Sequence, residues 1–186
     1  MNFTSQYLSD LLAALGQVDL ARVDEAIEWI RACRDSGGRI FVFGNGGSGS
    51  TASHFACDMV KGASYQRRQR FRVMALTDSL PTLTAYANDA GYEFVFVEQL
   101  KNFALPGDVV LGISGSGNSP NAVCALECAA SLGCRTIALT GRDGGKLGAL
   151  AQLNIQVPVP HMGRIEDVHM FVCHMLAYGF MDHVPA

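Results

Sequence analysis

The sequence lacks two features that would assign it to whole classes of protein: a long apolar run and a basic surface. No apolar segment reaches the roughly 20 residues that a transmembrane helix needs, and the N-terminus lacks a basic start followed by a hydrophobic stretch. Charged residues make up only 17%, and the formal net charge is -3. Nucleic-acid binding requires a basic face, so these totals exclude that class. We expect a cytoplasmic protein with neither a membrane nor a nucleic acid as partner.

Common cysteine and nucleotide motifs are also missing. The six cysteines lie mostly inside apolar patterns and form no C-x-x-C pair, which predicts free, buried thiols. Lys61 comes too late after the first glycine-rich turn for the phosphate loop G-x-x-x-x-G-K-[ST], and no G-x-G-x-x-G fits that turn. The two commonest nucleotide-binding loops are therefore absent from this turn.

The apolar content and the order of the patterns predict one α/β domain over residues 1–186. Hydrophobic residues make up 49%, enough for a full core in a chain of this length. Short apolar runs typical of buried strands alternate with helical patterns, which predicts a parallel sheet with helices on both faces. Two further helical patterns, within residues 1–37, precede the first strand. We expect this N-terminal pair to pack on the domain or on another copy of it.

Two glycine- and serine-rich turns follow two of the predicted strands. Residues 44–48 follow the strand 40–43, and residues 114–119 follow the strand 108–114. In parallel sheets, ligands bind beyond the carboxyl ends of the strands. A glycine-rich turn that leads into a helix directs backbone N–H groups at an anion. Two such turns in one sheet predict a binding site between them.

Hydroxyl side chains dominate both turns, and cationic side chains are almost absent from them. We expect a hydroxyl residue, Ser50, Thr51 or Ser53, to cap the helix after the first turn, and Pro120 to begin the helix after the second. This composition suits a phosphate monoester held by hydroxyls and backbone amides. The hydroxyl residues are Ser48, Ser50, Thr51, Ser53, Ser114, Ser116 and Ser119.

Histidines and carboxylates occur in two helical segments. His54 and Asp58 are four residues apart after the first turn and so share a helix face. On the last predicted helix, Glu166 and His174 are separated by about 80° around the axis, and Asp167 and His174 by about 20°. These angles are small enough for the side chains to converge on one site.

Three interpretations of these residues remain open. They can hold a divalent metal such as zinc, they can supply a general acid and base for moving a proton between carbons, or they can belong to a solvated helix face. His169 lies about 140° from His174 and is expected to face elsewhere. His161 and His183 fall in a predicted loop and in the C-terminal tail, and we assign them no role.

Taken in order, these motifs resemble the SIS (sugar isomerase) domain family and, within it, the bacterial phosphoheptose isomerases. The resemblance covers nearly the whole chain. The matching segments are Gly44-Asn45-Gly46-Gly47-Ser48 with His54-Phe55-Ala56, Ala87-Asn88-Asp89, Ser114-Gly115-Ser116-Gly117-Asn118-Ser119, Leu139-Thr140-Gly141-Arg142-Asp143-Gly144-Gly145, and Arg164-Ile165-Glu166-Asp167-Val168-His169 with His174.

The resemblance implies a flavodoxin-like subunit in a homotetramer whose active sites lie between subunits. The implied reaction converts sedoheptulose 7-phosphate to D-glycero-D-manno-heptose 7-phosphate, for nucleotide-activated heptose synthesis. The implied substrate-binding residues are Asn45, Gly46, Gly47, Ser48, Asp89, Ser114, Gly115, Ser116, Ser119 and Glu166. The implied metal is zinc, held by His54, Asp58, Glu166 and His174, and the implied catalytic residues are Asp58 and His174.

The chain departs from the family at two of these positions. The family has a glutamate where this chain has Asp58, and commonly a glutamine where it has Glu166. Another SIS group lacks the catalytic carboxylate and binds the replication initiator as a tetramer. A non-catalytic tetramer that binds a sugar phosphate or a protein is therefore the alternative. SIS deaminases and etherases are less favoured, because they usually carry a second domain.

Overall fold

A computed structural model describes residues 2–182, so that His183 lies outside the described residues. Helices and strands alternate after an N-terminal helical pair. The helices are α1 (Phe3–Leu15), α2 (Leu20–Asp35), α3 (Gly46–Cys57), α4 (Leu80–Asp89), α5 (Val97–Phe103), α6 (Pro120–Ser131), α7 (Gly145–Leu150) and α8 (Met162–Met181). The strands are β1 (Ile40–Gly44), β2 (Val73–Ala75), β3 (Val109–Ser114), β4 (Arg135–Gly141) and β5 (Leu153–Val157). None of the helices in residues 2–182 combines the length and the apolarity needed to span a membrane.

The five strands form one parallel sheet in the order β2-β1-β3-β4-β5. All residues of β1 and of β3 are buried. A parallel strand covered on both faces consists of a continuous apolar run rather than an alternating one, as in these two strands. The predicted flavodoxin-like α/β fold is confirmed.

Helices cover both faces of the sheet and bury two separate apolar cores. Successive residues of β1 point to opposite faces: Ile40 and Val42 join the core under α1, α2, α3 and α8, whereas Phe41 and Phe43 join the core under α4 to α7. The predicted helices on both faces are therefore present.

The N-terminal pair packs on the domain, as one of the two predicted alternatives stated. Ala14 of α1 and Ile30 of α2 are buried in the core that also contains the inner face of α8. Two polar contacts add to this packing. The Tyr7 hydroxyl donates to Asp167 of α8 at 2.7 Å, and Arg164 of α8 forms an ion pair at 2.7 Å with an acidic residue of α1, Asp10.

The predicted cap of α3 was wrong. The helix begins at Gly46, so the glycine-rich segment is the first turn of the helix rather than a loop before it. The hydroxyls of Ser50, Thr51 and Ser53 accordingly lie inside the helix and donate to backbone carbonyls four residues earlier. Tertiary packing overrides the low helix propensity of glycine at this position.

The prediction that the cysteines are buried was wrong for three of them. All six cysteines are free, but Cys57 is exposed at the end of α3, and Cys124 and Cys128 are only partly buried. The apolar patterns around these three cysteines did not reveal their exposure.

His169 joins α8 to β4 through a buried hydrogen bond. Its side chain is 1% exposed, and its Nε2 lies 3.1 Å from the carbonyl oxygen of Thr140. A carbonyl only accepts, so Nε2 carries the proton in the neutral ring, whereas Nδ1 has no hydrogen-bond partner. Burial lowers the pKa of His169 to about 4, despite the opposing effect of the Thr140 carbonyl. As predicted, this histidine faces away from His174.

We predict that His169 makes the protein less stable as the pH falls from about 6.5 to 4. The unfolded chain binds a proton near pH 6.5 and the folded chain only near pH 4, so the free energy of unfolding decreases by up to about 3 kcal/mol. His169→Gln places an amide N–H near the same carbonyl and does not titrate. Urea unfolding at pH 8 and pH 4.5 should show a smaller pH effect in this variant, and an equal effect in both proteins would contradict the assignment.

Candidate active site

The sheet brings the two predicted turns together at its centre. β1 and β3 are neighbours, and their carboxyl ends lie at the same edge of the sheet. The helix that follows β1, α3, packs on one face, and the helix that follows β3, α6, packs on the other. A crevice opens where consecutive connections leave on opposite sides, and ligands of open α/β sheets bind there.

A pocket of about 280 Å³ occupies this crevice. Among residues 2–182, its lining includes no lysine, arginine or histidine, and the only charged residue is Glu166, on the first turns of α8. Nine of the substrate-binding residues predicted from the resemblance meet in it. They are Asn45, Gly46, Gly47, Ser48, Ser114, Gly115, Ser116, Ser119 and Glu166.

At this pocket, α3 leaves its first N–H groups free of a side-chain cap. In contrast, α6 begins at Pro120, which has no N–H, and its Ala122 N–H donates to Asn121 Oδ1. Asn45 precedes α3 and Ser119 precedes α6, and neither side chain caps its helix. The N-terminus of a helix carries partial positive charge, and its uncapped N–H groups are hydrogen-bond donors for an anion. The Ser114 hydroxyl lies 3.3 Å from that of Ser119 and 3.5 Å from that of Ser116. Dipoles and hydroxyls thus replace cations in this pocket.

Two glycines permit close approaches that shape the pocket. A Cβ atom at Gly47 would lie 2.6 Å from Glu166 Oε1, so this glycine allows α8 to place its carboxylate against the first turn of α3. At Gly117, φ is +64° and a Cβ atom would lie 2.0 Å from the backbone oxygen of Gly144. Only glycine fits that position.

A second group of polar side chains lies farther along α3 and α8. His54 Nε2 is 3.3 Å from His174 Nε2 and 3.4 Å from Asp58 Oδ2, and His174 Nε2 is 3.8 Å from the same oxygen. Ligands of a tetrahedral zinc ion, each 2.0–2.1 Å from the metal, are about 3.3 Å apart. Within residues 2–182, these three side chains form the group that can hold a metal ion.

Asp58 is the most enclosed member of this group, hereafter the His-Asp cluster. Its side chain is 21% exposed, compared with 49% for His54 and 43% for His174. It begins a π-helical turn, Asp58–Gly62, that extends α3. Such turns are rare and occur frequently at functional sites. Both histidines approach its Oδ2 atom, so these contacts leave Oδ1 available.

Glu166 does not join the His-Asp cluster within one subunit. It precedes His174 by eight residues, which is about 12 Å along a helix, and it contacts Gly47 at the start of α3. The angular separation estimated from the sequence was small, but it did not include this displacement along the axis. One chain therefore presents Glu166 to the pocket and His174 to the cluster.

Two further carboxylates, Asp89 and Asp167, lie outside both the pocket and the His-Asp cluster of one subunit. Asp89 is exposed at the end of α4, where it accepts a hydrogen bond from its neighbour Asn88. Asp167 accepts from the Tyr7 hydroxyl, and this hydrogen bond raises the pKa of Tyr7. The predicted convergence of Asp167 with His174 was wrong, because α1 covers this part of α8.

Sequence reasoning missed two residues that contact the first turn. Asn121, on the first turn of α6, forms two hydrogen bonds with Asn45, and the Tyr92 hydroxyl donates to the same Asn45 side chain. The available signal was weak: an asparagine that follows the second turn and Pro120, and a tyrosine three residues after Asp89. Both contacts join segments that are far apart in the sequence.

The SIS domain family model matches residues 5–141. The chain belongs to the SIS domain family.

Within this family, the chain is similar to phosphoheptose isomerases. It is 40% identical over 172 residues to a probable phosphoheptose isomerase of Thermoplasma volcanium, covering 92% of this chain and 87% of the relative. It is 36% identical over 170 residues to the phosphoheptose isomerase of Syntrophotalea carbinolica, covering 91% and 86%. The structure of phosphoheptose isomerase GmhA from Neisseria gonorrhoeae superimposes with a TM-score of 0.88 at 32% identity, over 95% of this chain and 96% of that one.

Proposed function

We propose that this protein is a phosphoheptose isomerase, which interconverts sedoheptulose 7-phosphate and D-glycero-D-manno-heptose 7-phosphate in the cytoplasm. The observation that carries the proposal is the arrangement along α3 and α8. An anion pocket lies at one end of this helix pair, and a cluster suited to proton transfer lies two helical turns away. Such a site requires a substrate with a phosphate and a carbonyl group at opposite ends of one chain. A ketose 7-phosphate meets that requirement and supplies a precursor for nucleotide-activated heptose.

The phosphate binds where the two helix N-termini meet. Ser48, Ser114, Ser116 and Ser119 donate hydroxyl hydrogen bonds to its oxygens, and the backbone N–H groups at Gly46, Gly47 and Gly115 add to them. Asn45, directly before α3, is assigned to the phosphate end of the substrate, and Asp89 and Glu166 are assigned to the sugar. The Glu166 carboxylate only accepts hydrogen bonds, so it suits sugar hydroxyls rather than the phosphate.

Asp58 is the proton-transfer group at carbon. Its free Oδ1 takes a proton from carbon 1 of the ketose, the resulting ene-diol holds the electron pair, and a proton returned to carbon 2 gives the aldose. General base catalysis needs the carboxylate within hydrogen-bond reach of that proton. The aspartate is one methylene shorter than the family's glutamate, so the sugar carbons must lie closer to α3 than they would for a glutamate.

His174 is the second catalytic residue. Its Nε2 donates a proton to the carbonyl oxygen at carbon 2 while Asp58 removes the proton from carbon 1. When Asp58 returns a proton to carbon 2, the same nitrogen takes the proton of the carbon 1 hydroxyl, so that the aldehyde forms. A nitrogen that binds a metal ion carries no proton. His174 Nε2 can therefore either transfer a proton or bind a metal ion, but not both at once.

The donor set of the His-Asp cluster also fits zinc. Two imidazole nitrogens and one carboxylate oxygen, at the mutual distances described above, match a three-ligand catalytic site with an open fourth position. His54, Asp58 and His174 would hold the ion, with Glu166 of a neighbouring subunit as a further ligand. Zinc at this place supplies Lewis-acid polarisation of the carbonyl group.

The alternative, a non-catalytic SIS tetramer, is not favoured. The relatives with 36–40% identity are named as isomerases, and this chain retains both histidines and an acid between them. A protein that only binds a sugar phosphate would not need the His-Asp cluster.

Proton exchange tests the isomerase directly. In deuterated water, NMR of sedoheptulose 7-phosphate with the protein and zinc should show deuterium at carbon 2 of the heptose 7-phosphate formed. Asp58→Asn keeps the size of the side chain but removes the base, so it should lower kcat by about 10²–10⁴-fold. Asp24→Asn, on the exposed face of α2, is the matched control and should retain full activity. Absence of exchange in the unmodified protein, with sugar phosphate binding intact, would support the non-catalytic alternative.

Metal content tests the His-Asp cluster independently of turnover. We expect one zinc ion per subunit by elemental analysis, and loss of that ion in His54→Ala, which removes one of three ligands. His161→Asn is a suitable control, because His161 is exposed at the start of α8 and asparagine keeps a capping acceptor. Equal zinc content in the His54 variant would show that the metal binds elsewhere.

The proposed assembly is a homotetramer in which a second subunit completes each site. The outer face of α8 carries Phe171 and Tyr178, which are 50% and 46% exposed and flank His174 at helical spacing. The outer face of α1 adds exposed Leu8 and Leu12. Clusters of exposed apolar side chains mark protein interfaces. A partner that covers the face of α8 would also lie next to the His-Asp cluster.

Phe171→Glu should therefore convert the tetramer into a smaller species, measured by analytical ultracentrifugation, and lower activity with it. A charge at a buried interface position is costly unless it is paired. Leu150→Glu, at an exposed apolar residue of α7 on the other face of the sheet, should leave the assembly unchanged. A tetramer that persists in the Phe171 variant would exclude this face from the interface.

A further inference from the structure

Asn45 and Asn121 form a reciprocal amide pair between the two turns of the pocket. Asn45 Nδ2 donates to Asn121 Oδ1 at 2.8 Å, and Asn121 Nδ2 donates to Asn45 Oδ1 at 2.9 Å. Asn121 is 1% exposed. Such a pair is planar and directional, so it fixes both the distance and the angle between the segments that carry it. Here those segments are the N-terminus of α3 and the first turn of α6.

Two more hydrogen bonds hold this pair in place. The Tyr92 hydroxyl donates to Asn45 Oδ1 at 2.9 Å, and Asn121 Oδ1 accepts from the backbone N–H of Ala122 at 2.9 Å. Both amide oxygens therefore accept two hydrogen bonds, as two lone pairs allow. The amide orientation is determined, because flipping either side chain would oppose donor to donor.

Asn121 does not line the pocket, and yet it joins the two elements that do. α3 and α6 lie on opposite faces of the sheet, so no helix-to-helix packing holds their N-termini in register. The N–H groups of α3 and the Ser119 hydroxyl at the start of α6 can act on a single anion only if the two helix ends keep a fixed relative position, because hydrogen bonds weaken steeply with misalignment. The amide pair is the direct side-chain link between these ends.

We infer that Asn121 and Tyr92 are positioning residues for the phosphate pocket: through Asn45, they align the N-termini of α3 and α6 on one phosphate group. The inference uses the proposed function only in taking the pocket as the phosphate site. The two residues act through Asn45 and make no contact with the phosphate. Alignment of the two helix ends matters for binding a phosphate group, so ligands without a phosphate do not depend on it.

The first experiment measures inorganic phosphate and sedoheptulose 7-phosphate binding by calorimetry in the full-length protein. Asn121→Ala removes both hydrogen bonds of the pair and should weaken the binding of each ligand by about tenfold. Tyr92→Phe removes the hydroxyl that donates to Asn45. Because Tyr92 is 57% exposed, this loss is smaller and should weaken the binding of each ligand by about threefold. Because no turnover is needed, failure of the isomerase proposal would leave this result interpretable.

The second experiment separates positioning from general loss of structure. With the isomerase assay, Asn121→Ala should raise KM for the phosphorylated ketose about tenfold with little change in kcat, and leave kcat/KM for unphosphorylated sedoheptulose unchanged. Asn154→Ala is the matched control, because Asn154 likewise accepts a partly buried side-chain hydrogen bond, from Thr140, but lies outside the pocket. It should lower thermal stability without changing either substrate's kinetics.

The outcomes decide the proposal. Weaker phosphate binding in the Asn121 and Tyr92 variants, with the Asn154 variant unchanged, supports it. Unchanged phosphate affinity in a folded Asn121→Ala protein overturns it, as does an equal loss for phosphorylated and unphosphorylated sugars. If Asn121→Ala does not fold, Tyr92→Phe decides alone: unchanged phosphate affinity in that variant overturns the proposal.

Discussion

The adjacency of β1 and β3 is the constraint on which the rest of the site depends. Crossovers between parallel strands are right-handed, so strand order alone determines the face on which each following helix packs. In the order β2-β1-β3-β4-β5, β2 lies on one side of β1, whereas β3 and the later strands lie on the other side. α3 and α6 are consequently on opposite faces, and their N-termini meet across one crevice. The pocket is a product of topology before any side chain is considered.

The second determinant of the site geometry is the close approach of α8 to α3. At the first turn of α3, the backbone of Gly47 lies against the Glu166 carboxylate, and farther along the same helix His54 lies against His174. The two helices therefore run side by side and present a binding end and a reactive end in a fixed order. Each helix contributes to both ends, because about two turns along its axis separate Gly47 from His54 on α3 and Glu166 from His174 on α8.

The sequence was sufficient to predict the fold and the pocket, because both depend on local signals. Buried strands, glycine-rich turns and Pro120 each mark a position along the chain, and a parallel sheet brings the turns together. It was insufficient where two helices meet. The periodicity of α8 related Glu166 to His174 by angle but not by axial distance, and nothing local showed that Gly46 already belongs to a helix. The Asn45–Asn121 pair joins residues 76 positions apart, so only the tertiary structure reveals it.

The described lining of the pocket contains no cationic side chain, which affects how dissolved salt would act on anion binding there. Sites built on lysine or arginine lose attraction as dissolved ions screen their charges. Hydroxyls and backbone N–H groups act mainly through short, directed hydrogen bonds, which depend less on such screening, and the Glu166 carboxylate contributes a repulsion that added salt reduces. If the pocket binds phosphate as we propose, its affinity should vary less with ionic strength than that of a site built on lysine or arginine, and selectivity should depend on the shape of the phosphate as well as on its charge.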